Sequence, residues 1–134
     1  MENFRKDKPH DVPKKLLSRK DEITADFLKL IDVHMADLLD RKISRKFHAK
    51  DFAALLFIHP RHLTNTIKLT TGKSPCDFME ERIIIEAKKM LLETKMSIAD
   101  IGQVFGYEEA TNFTKFFKGM VEITPLRFRK KAER

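Results

Sequence analysis

Between Ser18 and Arg41, apolar side chains recur as Phe27, Leu28, Ile31, Met35, Leu38 and Leu39. This i, i+3, i+4 spacing gives a helix one apolar face. The opposite face carries Asp21, Glu22, Asp26, Asp32, Asp37 and Asp40 against Lys29, so the helix is expected to pack on a core and to turn its acidic side away from an anionic partner. Shorter patterns follow. They predict a helix over about residues 50–56, a turn over 57–60, and a helix from Pro60 to Thr71 closed by Gly72. Proline suits the first helical position, and glycine the residue just past a C-terminus. A longer helix is predicted from Pro75 to about Glu93, with Phe78, Ile84, Ala87, Met90 and Leu91 on its apolar side. Ser97 and Asp100 then read as a capping box. Ile98, Ile101 and Phe105 give a short apolar face, Gly106 a turn, and a helix follows over about 109–119. Thr124 and Pro125 open a last, basic helix.

The second half repeats the first at an offset of about 50 residues. Asp51-Phe52-Ala53 lies over Asp100-Ile101-Gly102, Leu63-Thr64 over Phe113-Thr114, Ile67-Lys68 over Phe117-Lys118, and Ser74-Pro75 over Thr124-Pro125. One pair of short amphipathic helices is a weak sign of a helix-turn-helix. Two in register, joined by one long helix, are a strong one. Ala53 and Gly102 are small enough for close helix approach, and Leu63 and Phe113 anchor each second helix on its own core. The faces left over are Arg61, His62, Thr64, Asn65 and Lys68 on the first, and Ala110, Thr111, Thr114, Lys115 and Lys118 on the second. A DNA major groove, about 12 Å wide, admits one such helix.

Composition supports the same fold class. A chain of 134 residues that is 42% hydrophobic, with only 4 Gly, 5 Pro and 1 Tyr, reads as one all-α domain. Seven helices are expected, arranged as two helix-turn-helix units on a long central helix over residues 18–134. Residues 1–17, with Pro9 and Pro13 and no apolar periodicity, read as a linker or flexible leader, and hence the chain as the C-terminal part of a larger protein. Cys76 is the single cysteine, which rules out an internal disulfide and suits a reducing compartment. No apolar run approaches the ~20 residues of a membrane span. A cytoplasmic protein without membrane association is expected.

The formal charge of +7 is uneven along the chain. Most of the excess sits in residues 1–20 and 126–134, while the interior is nearly balanced, so bulk basicity says little by itself. Position says more. Arg41, Lys42, Arg45, Lys46 and Lys50 run directly into the first helix-turn-helix, where the leading helix crosses the phosphate backbone. Arg45, Lys46 and Lys50, with His62, Lys68 and Lys118 on the second helices, are the expected phosphate contacts. Arg127, Arg129, Lys130 and Lys131 could lend charge to the second unit.

Phe52-Ala53-x-x-Leu56, Pro60-Arg61-His62-Leu63 and Gly72-Lys73-Ser74-Pro75 resemble the first unit of AraC-type transcription regulators. Gly106-Tyr107, Phe113-Thr114-Lys115-x-Phe117-Lys118 and Thr124-Pro125 are similar to the second. The resemblance covers roughly residues 25–130. It implies base reading by Arg61, Thr64 and Asn65 in the first unit and by Ala110, Thr111, Thr114 and Lys115 in the second. It also implies a transcription regulator, usually an activator that touches RNA polymerase, with a separate sensor or dimerisation domain. Three positions depart from the family's usual residues. Asn65 stands where many members have Arg and would favour adenine. Glu122 replaces a glycine, and Ile83 replaces a polar or basic residue on the connecting helix.

His59 and His62 have an H-x-x-H spacing, yet no carboxylate or cysteine cluster accompanies them. His59 is read as a helix N-cap, and no metal or other cofactor is expected. Phe116 and Phe117 are read as core with Phe113 rather than as base-stacking groups. Neither a Gly-rich phosphate loop nor a nucleophile with its base occurs, so an enzyme is not expected. The competing reading is an all-helical module that binds protein instead of DNA.

Overall fold

The structure, a computed structural model, describes residues 18–133; the linker expected over 1–17 lies outside them. Within the described residues every element is a helix: α1 (Arg19–Leu39), α2 (Ala49–Leu55), α3 (Pro60–Thr71), α4 (Pro75–Glu93), α5 (Ile98–Val104), α6 (Ala110–Val121) and α7 (Pro125–Ala132). The expected all-α, seven-helix order is the one observed.

Local side-chain bonds set most of the starts. Ser18 Oγ accepts from Asp21 N–H at 3.1 Å, and Thr124 Oγ1 from Arg127 N–H at 3.2 Å. These satisfy amide groups that have no partner inside the helix. At α4 the exchange is reciprocal: Ser74 Oγ accepts from Asp77 N–H at 3.1 Å, and Asp77 Oδ2 accepts from Ser74 N–H at 2.9 Å. The bond from Ser74 N–H, with the Ser74 hydroxyl assisting, favours the ionised carboxylate and holds Asp77 below the usual carboxyl range. Ser97 caps α5 by accepting from Asp100 N–H at 3.0 Å, but the return half of the expected capping box is not formed. A return bond appears instead at α2, where Asp51 Oδ2 accepts from His48 N–H at 2.8 Å.

Each unit closes on aromatic side chains. In the first, Phe27 of α1 meets Phe52 of α2 edge-on at 5.4 Å and Phe78 of α4 at 6.0 Å. In the second, Phe113 lies 6.1 Å from Phe117, which meets Phe128 of α7 at 5.7 Å. Phe117 is buried as expected, and Phe116 is half-buried against Tyr107. The α5–α6 crossing leaves no room for a side chain at Gly102, where a Cβ would come within 2.9 Å of Phe113 Cβ. Ala53 and Leu63 are its buried counterparts in the first unit.

Two expectations about packing change. On α1 the buried stripe is Ile23, Phe27, Ile31, His34, Met35 and Leu38, while Leu28 and Leu39 lie on its flanks, exposed. On α4, Ile83 is fully buried with Met79, Ile84, Ala87 and Leu91. α4 packs against α1 and α3 of the first unit and against α5 and α7 of the second. Its buried row Pro75, Met79, Ile83, Ala87 and Leu91, with Ile84 beside it, therefore serves both units.

Candidate nucleic-acid interface

The turn before α3 places its first residues at the surface. His59 is the N-cap, with Nδ1 accepting from Arg61 N–H at 3.0 Å, as expected of it. Within α3, Leu63, Thr66 and Ile67 are buried, and Thr24 of α1 meets Thr70 through their hydroxyls at 2.7 Å. One edge is thereby fixed to the core. Arg61, His62, Asn65 and Lys68 are exposed and Thr64 is half-buried. Residues 61, 64, 65 and 68 follow i, i+3, i+4, i+7, so they share one outward face.

The same division recurs on α6. Phe113 and Phe117 are buried; Ala110, Thr111, Lys115 and Lys118 are exposed, with Thr114 half-buried. All seven residues expected to read bases thus lie on the outer faces of the two second helices. Asn112 is also exposed there, at the position His62 occupies in the first unit. Laying the repeat over itself would have picked it out. Glu109 is the N-cap of α6, but its carboxylate makes no capping bond.

The basic groups divide by what they touch. Lys50, Lys68 and Lys118 are exposed and have no ion pair among the described residues. Arg45 instead donates two hydrogen bonds to Asp51, at 3.1 and 3.0 Å. The guanidinium's hydrogen bond holds the Asp51 carboxyl down at about 2, helped by the His48 backbone N–H and opposed by partial burial. With the Arg45 side chain largely in solvent, the pair orders the start of α2 and adds little stability. Lys46 is half-buried and donates to Tyr107 Oη at 3.1 Å. Arg129 is spent as well: Nε donates to the Leu91 carbonyl at 2.9 Å and Nη2 to the Thr94 carbonyl at 3.3 Å, closing the C-terminus of α4. Its charge caps a helix, whereas Arg127, Lys130 and Lys131 remain together at the α7 surface.

Among the described residues no group of three or more His, Cys, Asp or Glu gathers as a metal cage, and no helix is long and apolar enough to cross a membrane.

Comparison with known proteins agrees with this arrangement. The family model described as a helix-turn-helix domain matches residues 52–131. The arabinose operon regulatory protein of Salmonella typhimurium is 26% identical over 113 residues, covering 84% of this chain and 38% of that protein. The C-terminal domain of AraT, a response regulator from Geobacillus stearothermophilus, superposes with a TM-score of 0.73 at 23% identity, covering 85% of this chain and 88% of that one. The DNA-binding domain of the global transcriptional factor AdpA, solved in complex with a target DNA, gives a TM-score of 0.61 at 16% identity over 75% of this chain and 95% of that one. The chain spans a third to about half the length of the first curated relatives it matches. With a family model matched over more than half of its residues and the duplicated unit in place, the chain belongs to the AraC-type helix-turn-helix family of DNA-binding transcription regulators.

Proposed function

We propose that one copy of this domain reads two successive major grooves on one face of a DNA duplex, roughly 34 Å apart. The observation that carries this reading is the matched pair of outward faces, residues 61, 64, 65 and 68 on α3 and 111, 114, 115 and 118 on α6, held by one helix. At 19 residues, α4 is about 28 Å long, commensurate with that spacing. Arg61, Thr64 and Asn65 read bases in one groove, and Ala110, Thr111, Thr114 and Lys115 in the next. Lys50, His62, Lys68 and Lys118 take phosphates, with Arg45 at the rim. Asn65 suits adenine, to which an amide side chain can bond twice.

In this reading the protein works in the cytoplasm by binding, without catalysis. It activates transcription through contact with RNA polymerase, and a sensor or dimerisation domain accompanies residues 18–134 in the whole regulator. The resemblance to the family supports these further roles.

Selection of bound sequences from random duplexes, followed by mobility-shift titration, tests the reading. Asn65→Ala and Arg61→Ala should each reduce discrimination at particular base pairs by about 1–3 kcal/mol. Equal weakening on every sequence would restrict both residues to phosphates. Binding without sequence preference or salt dependence would favour the protein-interaction module instead.

A further inference from the structure

The segment between α1 and α2 belongs to the first unit, yet it reaches the turn of the second. Lys46 Nζ bonds to Tyr107 Oη and stands 4.9 Å from the centre of the Tyr107 ring and 5.6 Å from that of Phe116. Tyr107 and Phe116 stack on each other at 5.5 Å with 22° between their planes. Phe116 lies on α6, so the lysine is one aromatic layer from the second recognition helix. The backbones are equally close. A Cβ on Gly106 would come within 2.9 Å of Lys46 N and 3.4 Å of the Ser44 carbonyl oxygen, and Gly106 has a φ of +91°. Only glycine suits both the conformation and the approach.

No residue of α4 takes part in these contacts. A single helix between two units sets their separation but leaves bending and rocking about that helix as soft motions. A second contact between the units, made outside that helix, would restrain them. Lysine suits the place chemically, because its flexible stem spans the gap while the ammonium meets a hydroxyl and two ring faces.

We propose that Lys46 is a positioning residue that braces the second helix-turn-helix against the first, fixing the distance and angle between α3 and α6 and thereby the half-site spacing the domain accepts. This rests on the two-groove reading above, and it assigns Lys46 a role other than the phosphate contact expected from its charge.

Two measurements separate the possibilities. The first needs no DNA: spin labels at Leu69→Cys on α3 and Met120→Cys on α6, both exposed, in a Cys76→Ser background. The inter-label distance distribution should broaden in Lys46→Met and Tyr107→Phe and stay narrow in Lys46→Arg. An unchanged distribution in Lys46→Met overturns the brace whatever the domain binds. The second uses the selected duplex and a version with one base pair inserted between the half-sites. The wild type should be penalised strongly by the insertion. In Lys46→Met that penalty should shrink by about tenfold, within the usual range of coupling between two sites, with the salt slope on the original duplex unchanged. A full penalty with a slope lowered by about 0.9 would make Lys46 a phosphate ligand and overturn the proposal. A wild type indifferent to the insertion overturns the two-groove reading itself, leaving the label distances to judge the brace. Tyr107→Phe removes the hydroxyl partner and leaves the Lys46 charge in place, so partial loss of the penalty there separates the contact from the lysine's charge.

Discussion

Gly72 and Glu122 end the two recognition helices in the same left-handed conformation, with φ of 83° and 78°. Each follows a 12-residue helix, and each donates its N–H to the carbonyl of Lys68 or Lys118, at 2.9 and 2.7 Å. The repeat has kept the backbone and changed the residue. A side chain with a Cβ is strained there by roughly 1–2 kcal/mol, whereas glycine adopts the conformation freely.

Glu122→Gly is therefore expected to raise stability by about 1 kcal/mol, and Gly72→Ala to lower it by a similar amount. No atom lies within 4 Å of a Cβ built at Gly72, so the loss would be backbone strain alone. Chemical denaturation of both variants checks this. An unstable Glu122→Gly would mean that the Glu122 side chain contributes more than its backbone costs.

Acid should destabilise the fold through His34. His34 is buried in α1, stacked on Phe47 at 3.9 Å, and its Nε2 accepts from Phe47 N–H at 3.0 Å. Burial pushes its pKa below the ordinary 6.5, with Arg45 acting in the same direction and Asp37 and Asp51 opposing. Between the depressed folded value and 6.5 the unfolded chain holds the proton and the folded chain does not. Stability therefore rises with pH through that window and falls on acidification. Tm should drop between about pH 7 and about pH 5, and His34→Gln, which keeps an acceptor for the amide, should flatten the dependence. An identical slope in His34→Gln would place the titrating group elsewhere.

Salt dependence separates base-facing from phosphate-facing lysines. Lys50 and Lys68 are both assigned to phosphates, whereas of Lys115 and Lys118 only the second is. Changing the first pair to Met should reduce the slope of log K against log salt by about 1.8, and changing the second pair by about 0.9. Equal reductions would show that the two units share the phosphate work evenly.

Much of this was legible in the sequence because the signals were local. Ser74-Pro75, Thr124-Pro125 and Gly72 announce helix ends through bonds spanning three or four residues, and the bounds of α3 and α4 follow from them. The repeat then supplied the topology. Non-local partners were not legible. A lysine in a charge run carries no mark of a tyrosine sixty residues on, so the contact between Lys46 and Tyr107 appears only in the fold. Arg129 hides its role in the same way, since its carbonyl partners lie on the far end of α4. His34 escapes the apolar pattern of α1 because it is polar, although its spacing from Ile31 and Leu38 places it on the buried stripe.

On the two-groove reading, one copy of the domain spans both grooves. Hydroxyl-radical footprinting on a selected duplex, with binding stoichiometry measured in the same buffer, tests it most directly. The expected result is one chain per duplex, with two protected patches on one face about one helical turn, or about 10 base pairs, apart. A footprint confined to one groove, or binding only as a dimer on palindromic half-sites, would contradict it.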